Sequence, residues 1–175
     1  ILMQDIYMRG CNWQPKLHYG TFDGNGYSII NVYISTNYYR DFNYGYSVND
    51  GCGFFGASNG TIKNLTLENI VIEAPNDAKN IGGIVGQALE DCIIENCHVS
   101  GVIYASENSY AGGLAGISEM SYHGSSDVKY SSSEITIFCK SNCTAGGSPF
   151  PRRRRLPQRS APAGFPDPRL CGAHC

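Results

Sequence analysis

The chain has 175 residues and a formal net charge of −2, which hides two unlike parts. Residues 1–147 carry 7 basic against 14 acidic side chains (−7), and residues 148–175 carry 6 against 1 (+5). A body at −7 argues against a nucleic-acid surface, which gathers Lys and Arg beside aromatics, and no apolar run reaches the roughly 18 residues needed to span a bilayer.

The predicted elements, in chain order, are strands and turns. Gly, Tyr, Ile and Asn are abundant and helix-period stretches are missing, the composition of an all-β body. The chain opens on "ILMQDIYM", mid-pattern and without an initiator Met, and reads as an internal stretch of a longer parent chain with other domains. The absence of a visible signal peptide therefore says nothing about export. Residues 1–52 form an opening segment. Within it Asp23-Gly24-Asn25-Gly26 is a strong turn signal between Phe22 and the strand-like "YSIINVYIS". The Asp-x-Asn spacing also begins a calcium loop, but the twelfth position, which needs a Glu, is Ile34. Turn chemistry is the better reading, and no metal or other cofactor is expected.

Residues 35–51 read as a long exposed loop, the best candidate for a binding surface. Its aromatics Tyr38, Tyr39, Phe42, Tyr44 and Tyr46, with Tyr33 just before them, could stack on a surface glycan or a host protein. Equally, they could fold back as the cap that the end of a stacked repeat requires.

From Gly53 the text repeats. "GFFG", "GIVG" and "GLAG" begin at Gly53, Gly83 and Gly113 and close at Gly56, Gly86 and Gly116, and a fourth copy breaks off at Gly147. Each copy has two strand-like pieces: the short apolar one between glycines, then Ile62-x-Asn64-Leu65-x-Leu67 and its counterparts. Those counterparts are Ile94, Asn96, Cys97, Val99 in the second copy and Val128, Tyr130, Ser131, Ser133 in the third. Alternation slips by one residue at Asn64 and Asn96, so the chain turns a corner there. Asn suits a corner because its amide bonds nearby backbone and it tolerates left-handed dihedrals. Repeats of this length, each unable to bury its apolar face alone, stack. The expectation is a β-helix or solenoid of three to four coils over residues 1–147, with Phe55, Val85 and Ala115 one above another.

After Gly147 the vocabulary changes to "SPFPRRRRLPQRSAPAGFPDPRLCGAHC". Pro, Arg, Ala and Gly dominate and no apolar alternation survives. Residues 148–175 read as a disordered tail foreign to the repeat, such as a frame change, a gene-fragment boundary or added sequence. A basic processing or localisation signal, or a native linker, is the alternative.

Few constellations carry chemistry. Cys97 takes the place of Leu65, which argues for small buried thiols; a disulfide among Cys11, Cys52, Cys92, Cys97, Cys139 and Cys143 stays open, and zinc spacing is lacking. Glu68, Glu73, Asp91 and Glu95 do not repeat as an acidic cluster across copies, as polysaccharide-cleaving chemistry requires. Lys63, Glu95 and Lys129 align as alternating surface charge that would pair weakly down one wall. His18, His98 and His123 lack a Ser or Cys partner at a suggestive spacing. No catalysis is expected.

The ordered succession "LMQDI", Trp13-x-Pro15, "GTFDGNGYSI", "GFFG…G-TIKNL", "IGGIVG…IIENCHVSG" and "AGGLAG" resembles the GLUG-repeat proteins over residues 2–147. These bacterial modules occur in large secreted or surface proteins, sometimes beside peptidases that cut immunoglobulin A. The resemblance implies a right-handed β-helix-like stalk or adhesive segment of an exported multidomain protein, and it carries over no catalytic residue. The chain departs from the pattern in the serines of the third copy and in the truncated fourth.

Overall fold

The computed structural model describes residues 1–9, 11–35, 39–40, 49–118 and 126–146, and these hold strands and turns with no helix. The loop residues Tyr38, Phe42, Tyr44 and Tyr46, and the tail 148–175, lie outside the described residues.

The first copy supplies four strands: β7 (Asn49–Cys52), β8 (Phe55–Ser58), β9 (Thr61–Lys63) and β10 (Thr66–Glu73). The second repeats them as β11 (Asn80–Gly82), β12 (Val85–Ala88), β13 (Ile93–Glu95) and β14 (His98–Ala105). The third gives β15 (Tyr110–Gly112), β16 (Ala115–Ser118), β17 (Asp127–Lys129) and β18 (Ser132–Cys139), and β19 (Thr144–Gly146) starts again. Upstream lie β1 (Ile6–Tyr7), β2 (Lys16–His18), β3 (Thr21–Asp23), β4 (Ser28–Ile30), β5 (Tyr33–Ser35) and β6 (Tyr39–Arg40).

Each copy sends one strand to each of four sheets, ordered β6-β7-β11-β15-β19, β2-β8-β12-β16, β3-β9-β13-β17 and β1-β4-β10-β14-β18, with β5 also on β10. Every pairing is parallel except β6 against β7. Val85 pairs with Phe55 on one side and Ala115 on the other, as the repeat predicts.

Two details differ from the sequence expectation. The copy has four strands, not two pieces, because a second corner falls at the Gly-Gly doublet. A Cβ on Gly83 would strike the Gly113 carbonyl of the next tier, and one on Gly86 would strike the Cys52 amide, so only glycine lets the backbones approach there. Also, the opening segment is itself a tier: β2, β3, β4 and β5 pair with β8, β9 and β10. Its repeat character is masked in the sequence by the two-residue insertion of the Asp23–Gly26 turn, whereas the break in "YSIINVYIS" matches one in the first copy. That break is Asn31, at φ 62°, whose counterpart Asn69 sits at φ 52° and donates from Nδ2 to Asn31 Oδ1 at 2.7 Å.

The core runs between the sheets: Ile62, Leu65, Leu67, Ile70, Ile72, Ile81, Ile84, Ile94, Val99 and Ile103 are all buried. Its filling changes from end to end. At the N-terminal end the Trp13 and Phe54 rings stack 4.8 Å apart, Trp13 Nε1 donates to the Phe54 carbonyl at 2.6 Å, and Phe22 and Phe55 meet edge to face at 5.4 Å. Trp13 and Phe22 thus cover that end of the core. Tyr33, by contrast, lies in β5 with its phenol donating to Glu73 Oε2 at 3.0 Å. At the other end Val128, Ile135 and Ile137 are only half-buried.

Candidate functional site: an asparagine-lined corner

The corner between the β3-β9-β13-β17 sheet and the β4-β10-β14-β18 sheet is made by residues in the left-handed region: Asn64 at φ 52°, Asn96 at 50° and Tyr130 at 49°. The two asparagine amides form a ladder that ends on Asp23. Asn96 Nδ2 donates to Asn64 Oδ1 at 2.9 Å, and Asn64 Nδ2 donates to Asp23 Oδ1 at 3.0 Å. Asp23 also accepts the Asn25 amide at 2.8 Å and faces Lys63 Nζ at 3.4 Å. The Asn64 bond foremost, then that of Asn25, with a smaller part from Lys63, holds its carboxyl below the usual carboxylate range. Asp23-Gly-Asn-Gly is thus a turn: Asn25 and Gly26 take φ 53° and 80°, and the Tyr27 amide donates to the Gly24 carbonyl at 2.9 Å.

Beside the ladder the strand register aligns Thr66, His98 and Ser132 on successive tiers. His98 Nδ1 lies 2.9 Å from Ser132 Oγ. Between the two rows opens a cleft of about 260 Å³, lined by these residues together with Gly26 and Cys97. Tyr130 is 86% exposed. Cys97 is buried, donates its thiol to the Glu95 carbonyl at 3.2 Å, and is pushed up to about 11 mainly by burial. Cys52, raised to about 12, and Cys92, raised to about 11, are likewise buried thiols outside any disulfide. Cys11 and Cys139 are exposed and Cys143 is half-buried, all three as free thiols.

The other residues singled out in sequence lie apart from this cleft. Gly53 and Gly83 carry inter-tier contacts: a Cβ on Gly53 would sit 2.5 Å from the Gly82 carbonyl. Gly56 stands against Gly51, and the space beyond Gly113 and Gly116 is filled by Ser133 and the Ile81 amide. Tyr39 lies in β6. Glu68 accepts from Ser28 Oγ at 2.8 Å, and Asp91 occupies a turn at φ 61°. Among the described residues no three His, Cys, Asp or Glu side chains converge. The alternating charges meet in register, with the nearer ion pairs made elsewhere. Glu95 does face Lys63 and Lys129 in register, yet Lys63 pairs with Asp23, and Lys129 with Asp127 at 3.1 Å along its own strand. Asp23 and Asp127 offer nearer oxygens than the carboxylate one tier away.

Sequence reasoning missed the cleft. Its signal was present, since aligning the copies puts Tyr130 under Asn64 and Asn96 and sets Thr66, His98 and Ser132 in a row. What sequence alone could not give is that both rows edge one open space.

The fold and its corners define a stacked parallel β-repeat. Residues 77–104 match the family model described as the GLUG motif, a window that takes in β11 to β14 almost whole. That window, the second copy, therefore carries a GLUG motif. No curated protein and no solved structure matches it significantly. Among the described residues, no helix is long and apolar enough to cross a membrane.

Proposed function

We propose that this GLUG-repeat module is a spacer or adhesin segment of an exported bacterial surface protein, without catalysis of its own. The tiers wind as a right-handed β-helix, stiff enough to hold other domains of the parent chain away from the cell and to display loops. The observation that supports this best is the parallel pairing that runs from β2 through β8 and β12 to β16, with one register shift at Lys16/Leu17, and recurs in the neighbouring sheets. A parallel stack of this kind lengthens by ~4.8 Å with each tier and gains stability from each neighbour interface.

The test is removal of one whole repeat. Deleting residues 83–112 joins Gly82 to Gly113, the same junction that Gly112 makes in register. The shortened chain should keep its β circular dichroism and a single unfolding transition. Its maximum dimension in small-angle scattering should fall by about one tier spacing, ~4.8 Å. Loss of the fold on deletion would count against a modular spacer. Antibody labelling of intact cells making the parent protein tests the location, and product release from a polysaccharide panel would defeat the non-catalytic reading. A second reading, a glycan- or host-protein-binding module, assigns recognition to residues 35–51 with Tyr38, Tyr39, Phe42, Tyr44 and Tyr46. Loss of binding to cells or serum proteins when Tyr38, Phe42, Tyr44 and Tyr46 are replaced together by Ser, with β6 and β7 kept in the chain, would favour it.

A further inference from the structure

We infer that the corner cleft is a binding site for a neutral oligosaccharide, distinct from the 35–51 loop and independent of whether the stack serves as a spacer. Several polar groups at the corner are left to solvent and free to meet a ligand. Among the described residues Asn64 and Asn96 spend their ladder bonds on each other and on Asp23. Asn96 Oδ1, Thr66 Oγ1, His98 Nε2 and the Tyr130 hydroxyl have no protein hydrogen-bond partner among the described residues, and all four residues line the same cleft of about 260 Å³. Donors and acceptors alternate among them, and that mixture suits hydroxyl groups, each of which both gives and takes a hydrogen bond. The phenol ring of Tyr130, 86% exposed, adds an apolar face of the kind on which a pyranose ring can lie.

Charge narrows the class. No Asp, Glu, Lys or Arg lines the cleft, so a phosphate or uronate would find no counter-charge there. Repetition narrows it further. One wall carries the amides and the phenol of Asn64, Asn96 and Tyr130; the other carries Thr66, His98 and Ser132 in register. Similar groups recur at the inter-strand spacing of ~4.8 Å, which favours a chain of like units over a single compact molecule. The site is also pre-formed. The amide ladder fixes Asn96, the Ser132 hydroxyl orients the His98 ring, and Gly26 puts no side chain across the mouth, where a Cβ would meet nothing within 4 Å. Binding therefore costs little ordering of the protein.

The full chain, labelled with ¹⁵N, is titrated with neutral hexaoses of glucose, mannose and galactose, and in parallel with a hexagalacturonate. At least one neutral hexaose should shift the amide signals of Asn96, Cys97, His98 and Tyr130 together in a saturable way. Tyr130→Ala should weaken that binding about tenfold through loss of the ring face, while Tyr130→Phe stays within about threefold, the effect of one hydrogen bond. Tyr130 is exposed, so neither change threatens the fold. Asn96→Gly keeps the left-handed backbone and removes only the amide, and it should also weaken binding. The proposal is overturned if no neutral hexaose shifts these signals at millimolar concentration, or if only hexagalacturonate does. It is equally overturned if binding survives both Tyr130→Ala and Asn96→Gly, or vanishes only when Tyr38, Phe42, Tyr44 and Tyr46 of the 35–51 loop are replaced together by Ser.

Discussion

Asn64 does two separable things. Its backbone sits at φ 52°, where a Cβ-bearing residue is strained, and its side chain links Asp23 to Asn96. Asn64→Gly keeps the backbone and loses the ladder; Asn64→Ala loses both. Left-handed backbone costs an ordinary residue about 1–2 kcal/mol, so urea denaturation should find the Ala variant less stable than the Gly variant by about 1 kcal/mol. Equal losses would mean that the amide ladder, and not the backbone, selects Asn. His18 sets a different kind of test. Its Nδ1 lies 3.0 Å from Ser58 Oγ and its ring packs 4.7 Å from that of Phe55, and burial lowers its pKa below the ordinary 6.5. Above about pH 6.5 both folded and unfolded chains hold it neutral, and its full contribution to stability is present. As pH falls, the unfolded chain takes up the proton first, so that contribution is lost by the time the folded value is passed. The melting temperature should therefore drop between pH 7 and pH 5, and His18→Gln should flatten part of that drop. An identical pH profile in the variant would remove His18 as a cause.

Among elements, the long strands β10, β14 and β18 share a register but not an environment. Ile103 in β14 is fully buried between its neighbours, whereas Ile137, its partner in β18, is half-buried. Large-to-small changes cost in proportion to the cavity that remains. Ile103→Ala should lose about 3–4 kcal/mol and Ile137→Ala about 1 kcal/mol, read from denaturant midpoints at unchanged slope. Similar losses at both positions would mean that the end of the stack is covered in solution. At this scale the sequence was readable where periodicity did the work. The parity slip at Asn64 located a true corner, and the spacing of the glycine signatures set the pairing of Phe55, Val85 and Ala115. It was unreadable where a tier departs from the pattern. The opening tier has no Gly-x-x-Gly and carries an inserted turn, so its pairing with β8, β9 and β10 left no repeat to count. Trp13 gave no sign of its role, because its partner Phe54 is forty-one positions away and only the stacking of tiers brings the rings together. The cleft stayed hidden for a similar reason, since a shared space between two rows belongs to neither row's sequence.

For the molecule as a whole, stability is graded along the stack. One end is covered by Trp13, Phe22 and the residues before them; the other leaves β16, β17 and β18 with neighbours on one side only among the described residues. In repeat architectures such interfaces supply most of the stability, and local opening follows them. Amide hydrogen exchange should be slowest in β10 and β14, flanked on both sides, and faster by at least about tenfold in β18. Uniform protection through β18 would point to a partner over that end. One further consequence follows from the way the interior narrows. Phe55, Val85 and Ala115 occupy the same column, and Phe54, Ile84 and Leu114 stand beside them. Each copy is thus cut to its own floor of the building, and copies that look interchangeable on paper are not. Transposing the first and third would wedge two phenyl rings where an alanine and a leucine stand and leave a void beside Trp13. The order of the copies is itself inherited information, and it gives the stack a fixed top and bottom.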